Sequence, residues 1–178
     1  QIRPVLNTAS EHIFSTPLQQ IVCGKFRSIA YDASSTEQPD SGMPNQLIYF
    51  ADPMCSWCWG FSPVIDRIRD TYGDDLPVML VLGGLQPGNT RPLNDETKDS
   101  IKEHWQHVFD RSAQPFEHAF FERDGFVYDT EPPSRAIIAL HSLANDSSLS
   151  SLKAMHHAFY AENRDVTDAD VLADIAEE

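Results

Sequence analysis

The sequence predicts an α/β fold in which a short parallel sheet comes first and a helical half follows. Two apolar runs of strand length, residues 46–51 and Pro77-Val78-Met79-Leu80-Val81-Leu82, bracket a helix-like stretch from Trp59 to Tyr72. Strand, helix and strand in that order fit one right-handed crossover onto a parallel sheet. From Asn94 onward the apolar spacing is helical throughout. The third observation is chemical: Cys55-Ser56-Trp57-Cys58 stands between the first strand and the helix.

Each element has its own local signal. Residues 1–45 are mostly polar and carry turn formers such as Ser34, Ser35, Pro39 and Gly42, which predicts an arm outside the core. Ordered patterning starts at Met43-Pro44-Asn45-Gln46-Leu47, so residues before Met43 read as an extension that the fold does not need. Residues 46–92 then form the strand-helix-strand part, and residues 93–178 a helical part. In the first helix Phe61, Val64, Ile65, Ile68 and Tyr72 share roughly one face, and Pro63 is expected to kink it. Gly83-Gly84 closes the second strand.

Residues 95–110 place Ile101, Trp105, Val108 and Phe109 on one stripe. Ser134, after Pro132-Pro133, reads as the N-cap of a helix from Arg135 to Leu143. Leu152, Met155 and Phe159 continue at helical spacing, and Thr167 with Asp170 resembles a capping box ahead of Val171, Leu172 and Ile175. No internal repeat is present.

The C-x-x-C spacing at a helix start is what thiol exchange requires. Two intervening residues in a first helical turn bring both sulfurs within bridging range, and the N–H groups at the helix start favour a thiolate over a thiol. Cys55 is the expected nucleophile and Cys58 the resolving thiol. Asp52, three residues upstream, is a negative charge that opposes the thiolate if it points at the sulfur. Trp57 and Trp59 flank the pair, either as an apolar platform for a peptide substrate or as helix-to-sheet packing.

Composition excludes several functions. A net charge of −14 argues against nucleic acid or an anionic membrane as partner, since both need a cationic surface. No run approaches a membrane span. Three cysteines, one C-x-x-C plus Cys23, do not make a stapled secreted framework, so a soluble cytoplasmic protein is expected. A zinc reading lacks a second cysteine pair. His104 and His107 share a helix without an H-E-x-x-H, and His156-His157 cannot both face one ligand, so no metal or other cofactor is expected. The acidic residues from Asp165 to Glu178 lack calcium-loop spacing and read as a solvated face.

The stretch Phe50-Ala51-Asp52-Pro53-Met54-Cys55-Ser56-Trp57-Cys58-Trp59-Gly60-Phe61-Ser62-Pro63 resembles the active-site segment of the DsbA-like thioredoxin superfamily, in its FrnE-like branch. Tyr128-Asp129-Thr130-Glu131-Pro132-Pro133-Ser134-Arg135-Ala136 resembles the segment opening a helix of that family's inserted helical domain. The resemblance implies a thioredoxin-like fold split by an α-helical insertion, with Cys55 and Cys58 performing thiol–disulfide exchange. Family members return after the insertion to a strand preceded by a cis-proline, then a last strand and helix. The sequence up to Glu178 carries no such segment, so the fold expected here lacks those C-terminal strands.

The implied activity is that of an oxidoreductase exchanging disulfides with proteins, peptides or a small thiol such as glutathione. Two alternatives stay open. The same split fold hosts glutathione-dependent isomerases and transferases, which typically carry serine where Cys55 stands, and an aromatic patch beside inert cysteines would make a non-enzymatic binding module.

Overall fold

The structure is a computed structural model that describes residues 45–144 and 147–178. The arm expected over residues 1–45, with Cys23 in it, lies outside the described residues but for Asn45. The elements run β1 (Leu47–Ala51), α1 (Ser56–Tyr72), β2 (Val78–Leu82), α2 (Asp95–Ser112), α3 (Glu131–Leu143), α4 (Ser148–Tyr160) and α5 (Ala169–Glu177). Short 3₁₀ turns occupy Gly73–Asp75 and His118–Glu122. None of the described helices is long and apolar enough to cross a membrane.

β1 and β2 pair in parallel, from Leu47↔Val78 to Ala51↔Leu82, with α1 as the crossover. Strand alternation sends Tyr49 and Ala51 toward the core and leaves Ile48 and Phe50 exposed on the opposite face. The helical part adds the larger share of the core, built around Trp105. Its ring lies 4.7–5.3 Å from those of Phe116, Phe120, Phe121 and Tyr160. Met155, Phe159 and Tyr160 of α4 are fully buried beside it, with Ile137 of α3 and Ile175 of α5 in the same cluster.

The stripe expected on α1 is displaced. Its buried residues are Trp59, Ser62 and Ile65, whereas Phe61, Val64 and Tyr72 are exposed. The polar Ser62 can sit inward because Pro63 lies four residues after Trp59 and has no N–H for the Trp59 carbonyl. That carbonyl instead accepts from Ser62 Oγ at 2.8 Å and from Gln114 Nε2 at 3.2 Å. Gln114 Nε2 also donates to Ser62 Oγ at 2.9 Å, and α1 continues through Pro63 as one helix. On α2, Trp105 and Val108 are buried as expected, but Phe109 is exposed.

Two caps also differ from expectation. α3 begins at Glu131, four residues before the expected start, because Pro132 and Pro133 fit a first turn whose N–H groups need no helical acceptor. Ser134 is therefore inside the helix, and Thr130 precedes it. The cap of α5 is Asp168, whose Oδ1 accepts from the N–H groups of Asp170 and Val171 at 2.9 and 3.2 Å. Thr167 instead bonds Asp165 Oδ1 through both its N–H and its hydroxyl. Asn94 caps α2 by accepting from the Thr97 N–H at 2.8 Å.

α1 and α2 touch where Gly60 faces Val108. A Cβ at position 60 would meet Val108 Cγ1 at 2.6 Å, and Val108 is fully buried. Alanine favours a helix interior over glycine, yet this overlap outweighs that gain. Gly60→Ala should lower stability by about 1–2 kcal/mol, read as a lower urea midpoint with unchanged slope.

Candidate functional site

The cysteine pair sits at the start of α1, between the end of β1 and the first helical turn. Cys55 is the N-cap residue, extended at φ −92° and ψ 112°, and its carbonyl accepts the Trp59 N–H at 3.0 Å. It carries a sulfur where capping residues usually carry an oxygen, so the free N–H groups of the first turn face the thiol. Those of Trp57 and Cys58 favour the charged form of the Cys55 sulfur. Both cysteines are free and partly buried.

The two thiols are strongly unlike. The Cys55 thiol is pulled down to about 7, first by the hydrogen bond from the Cys58 thiol and then, against the opposing effect of burial, by backbone N–H bonds. Cys58 is pushed far up, first by giving its proton to Cys55 and then by burial. One member of the pair is thus poised as a thiolate and the other as its proton-bearing partner.

A buried polar frame holds this loop in place. Asp52 Oδ1 accepts from the Met54 N–H at 2.8 Å, and Oδ2 accepts from the Leu85 N–H at 2.7 Å. The Asp52 carbonyl accepts from the Cys55 N–H at 3.1 Å and lies 3.0 Å from His156 Nε2 of α4. Tyr128 donates its hydroxyl to the Met54 carbonyl, and the Tyr160 hydroxyl is 3.5 Å from that of Tyr128. The segment that carries Leu85 is fixed in turn, since Gln86 N–H donates to Thr130 Oγ1 and Thr130 N–H to the Gln86 carbonyl. Asp52 raises the Cys55 pKa, as its charge predicts, but as the smallest of the effects on that thiol.

Of the two expected platform residues, the structure presents only Trp57. Its side chain is 52% exposed beside the pair, together with Phe61 and Val64. Trp59 is 4% exposed, stacked on Tyr160 at 6.4 Å, with Nε1 donating to the Pro115 carbonyl at 3.0 Å. Its ring lies in the core rather than on the surface that the platform reading needs.

His156 is fully buried and His157 exposed, whereas His104 and His107 both lie exposed on α2. Among the described residues no three His, Cys, Asp or Glu side chains converge as a metal site. Sequence reasoning missed Tyr49, Tyr128 and His156 as neighbours of the pair. Tyr49 alone had a local signal, its inward place on β1 six residues before Cys55.

A two-strand parallel sheet, a C-x-x-C opening the crossover helix and a helical part behind it define a thioredoxin-like fold. The chain belongs to the DSBA-like thioredoxin domain family, whose profile matches residues 46–178. Among solved structures, a candidate protein disulfide isomerase from Nitrosomonas europaea is similar at TM-score 0.70 and 36% identity, over 76% of this chain and 64% of that one. The cytosolic disulfide reductase DsbM from Pseudomonas aeruginosa is similar at TM-score 0.65 and 27% identity, over 74% and 62%. Its structure with GSH gives TM-score 0.64 and 29% identity, over 74% and 63%. The ClpXP adapter protein SpxH of Bacillus subtilis (strain 168) is 24% identical over 136 residues, 75% of this chain and 44% of SpxH. The chain spans about half the length of the curated relatives it matches.

Two measurements check the electrostatics. Cys58→Ala removes the largest stabiliser of the Cys55 thiolate, so the pH midpoint of Cys55 alkylation should climb from about 7 toward the ordinary thiol range. His156 is held neutral by burial, at about 4 against an ordinary 6.5, so between those values the unfolded chain binds the extra proton and stability rises with pH. On acidification from pH 6.5 to 4 the protein should therefore lose about 3 kcal/mol more than a His156→Gln variant, measured by urea unfolding across that window.

Proposed function

We propose that the chain is a thiol–disulfide oxidoreductase with Cys55 as nucleophile and Cys58 as resolving thiol. The observation that carries this reading is the division of labour between the two sulfurs, one poised as a thiolate near pH 7 and its neighbour holding the proton. The Cys55 thiolate attacks a substrate disulfide, forming a mixed disulfide and releasing one substrate thiolate. Cys58 then loses its proton and attacks Cys55 Sγ, forming the Cys55–Cys58 bridge and releasing the second substrate thiolate. The substrate gains two electrons and the pair loses two. A thiol donor such as glutathione closes the cycle, a choice supported by the reductase relative solved with GSH.

Exposed Trp57 is the side chain placed to meet an incoming peptide. Residues 46–92 serve as the first part of the thioredoxin-like domain and 93–178 as its helical insertion, in the FrnE-like branch. The cytosolic reductase relative supports a cytoplasmic setting.

The SpxH likeness favours a second reading, an adapter that binds a partner protein without exchanging disulfides. Single-cysteine variants separate the two. On the first reading Cys55→Ser abolishes disulfide reduction, and Cys58→Ser, lacking the resolving thiol, accumulates a mixed disulfide with substrate that mass spectrometry detects. Full exchange activity in Cys55→Ser sinks it. Partner binding that survives alanine at both cysteines, with no exchange in the unaltered protein, supports the adapter.

A further inference from the structure

We propose that Tyr49 is a catalytic residue of the exchange, its hydroxyl donating a hydrogen bond to Cys58 Sγ whenever that sulfur carries charge. The proposal rests on the reading of Cys55 and Cys58 as the exchanging pair.

The geometry comes first. Tyr49 points inward from the centre of β1, in register with Leu80, and its ring lies 6.2 Å from that of Phe61 on α1. This places the phenol under the first turn of α1, where its hydroxyl reaches the Cys58 thiol. The hydroxyl is buried and makes no hydrogen bond. In the reduced pair the hydroxyl therefore forms no hydrogen bond to Cys58, whose neutral sulfur is a weak acceptor. A buried hydroxyl left in that condition costs free energy, which phenylalanine at the same place would avoid.

The chemistry gives the hydroxyl its acceptor. Burial, reinforced by the charge on Cys58, holds the Tyr49 phenol well above its ordinary range, so it keeps its proton and can only donate. Its effect on Cys58 has the matching sign, favouring the thiolate. When an external thiolate opens the oxidised pair, its sulfur bonds Cys55 Sγ, the Cys55–Cys58 bond breaks, and the electron pair goes to Cys58 Sγ. At that moment Cys58 becomes a buried anion. The Tyr49 O–H bonds it without transferring its proton, and Cys58 later takes a proton from solvent. A second external thiolate then attacks the mixed disulfide at its external sulfur, releasing the oxidised thiol and the Cys55 thiolate. The same bond forms in the opposite direction when Cys58 is deprotonated to resolve a mixed disulfide. An interaction stronger in the charged step than in the resting pair speeds that step, and a thiol of lowered pKa leaves faster.

Tyr49→Phe in the full chain is the test, with glutathione as the external thiol. The oxidised variant should open its bridge about tenfold more slowly than the unaltered protein, the loss expected when a hydrogen bond to a charged sulfur is removed. Its pH midpoint for Cys55 alkylation and its equilibrium ratio of bridge to dithiol in glutathione buffer should stay within twofold, because Cys58 is protonated in the resting reduced state. A variant that opens at the unaltered rate overturns the proposal. So does a slower opening accompanied by a displaced Cys55 midpoint and a lower urea midpoint, which marks Tyr49 as packing. Failure of the unaltered protein to form any Cys55–Cys58 bridge overturns the exchange reading itself, and this proposal with it.

Discussion

The Asp52 carboxylate is the constraint on which the rest of the site depends. It stands four positions before the first turn of α1, is almost fully buried, and binds the Met54 N–H with one oxygen and the Leu85 N–H with the other. The first bond shapes the turn that presents Cys55. The second ties that turn to the segment leaving β2, which Gln86 and Thr130 join to the start of α3. Two regions of the chain thus share one anion, and Thr130 joins a third to them. An anion here is tolerated because it is pinned to backbone donors, which blunts its repulsion of the neighbouring thiolate.

The protein resolves a conflict between burial and charge by sharing protons. Partial burial disfavours a thiolate at either cysteine. Placing Cys55 at the N-cap and Cys58 one turn later lets the second thiol and two backbone donors hold the charge on the first. The cost appears at Cys58, which becomes a poor acid, and around it, where Tyr49, Tyr128 and Tyr160 are held protonated first by burial and further by the charge of the pair. The environment is therefore arranged around a single negative charge. It gives that charge to one sulfur at a time.

Local features of the site were legible in the sequence, and remote ones were not. The strand-helix-strand order, the start of α2 at Asn94 and the pair at Cys55 and Cys58 all rest on neighbours within about one helical turn or one strand, where periodicity carries the information. The inward face of α1 was misread because Ser62 is polar, and its place in the core depends on Gln114, fifty-two residues later. The α3 start was misread because two prolines look like a break although they suit a first turn. His156 and Tyr128 reach the cysteine loop across 104 and 74 residues, which no local pattern reports. Trp59 was ambiguous until the partners of its ring were known.

The same separations order events during synthesis. The turn that carries Cys55 can be made early, but the Met54 carbonyl gains its bond from Tyr128, and the Asp52 carbonyl its contact with His156, only after those distant residues have emerged. Closing loops of that length is entropically costly and comes late unless other contacts prepay it. A nascent chain emerging with only its first ninety residues therefore carries both thiols and the local groups that set them apart, without the remote bonds that pin their loop. The contrast between the two thiols is therefore written into one short stretch of chain, whereas the fixed position of the loop that presents them waits for α4.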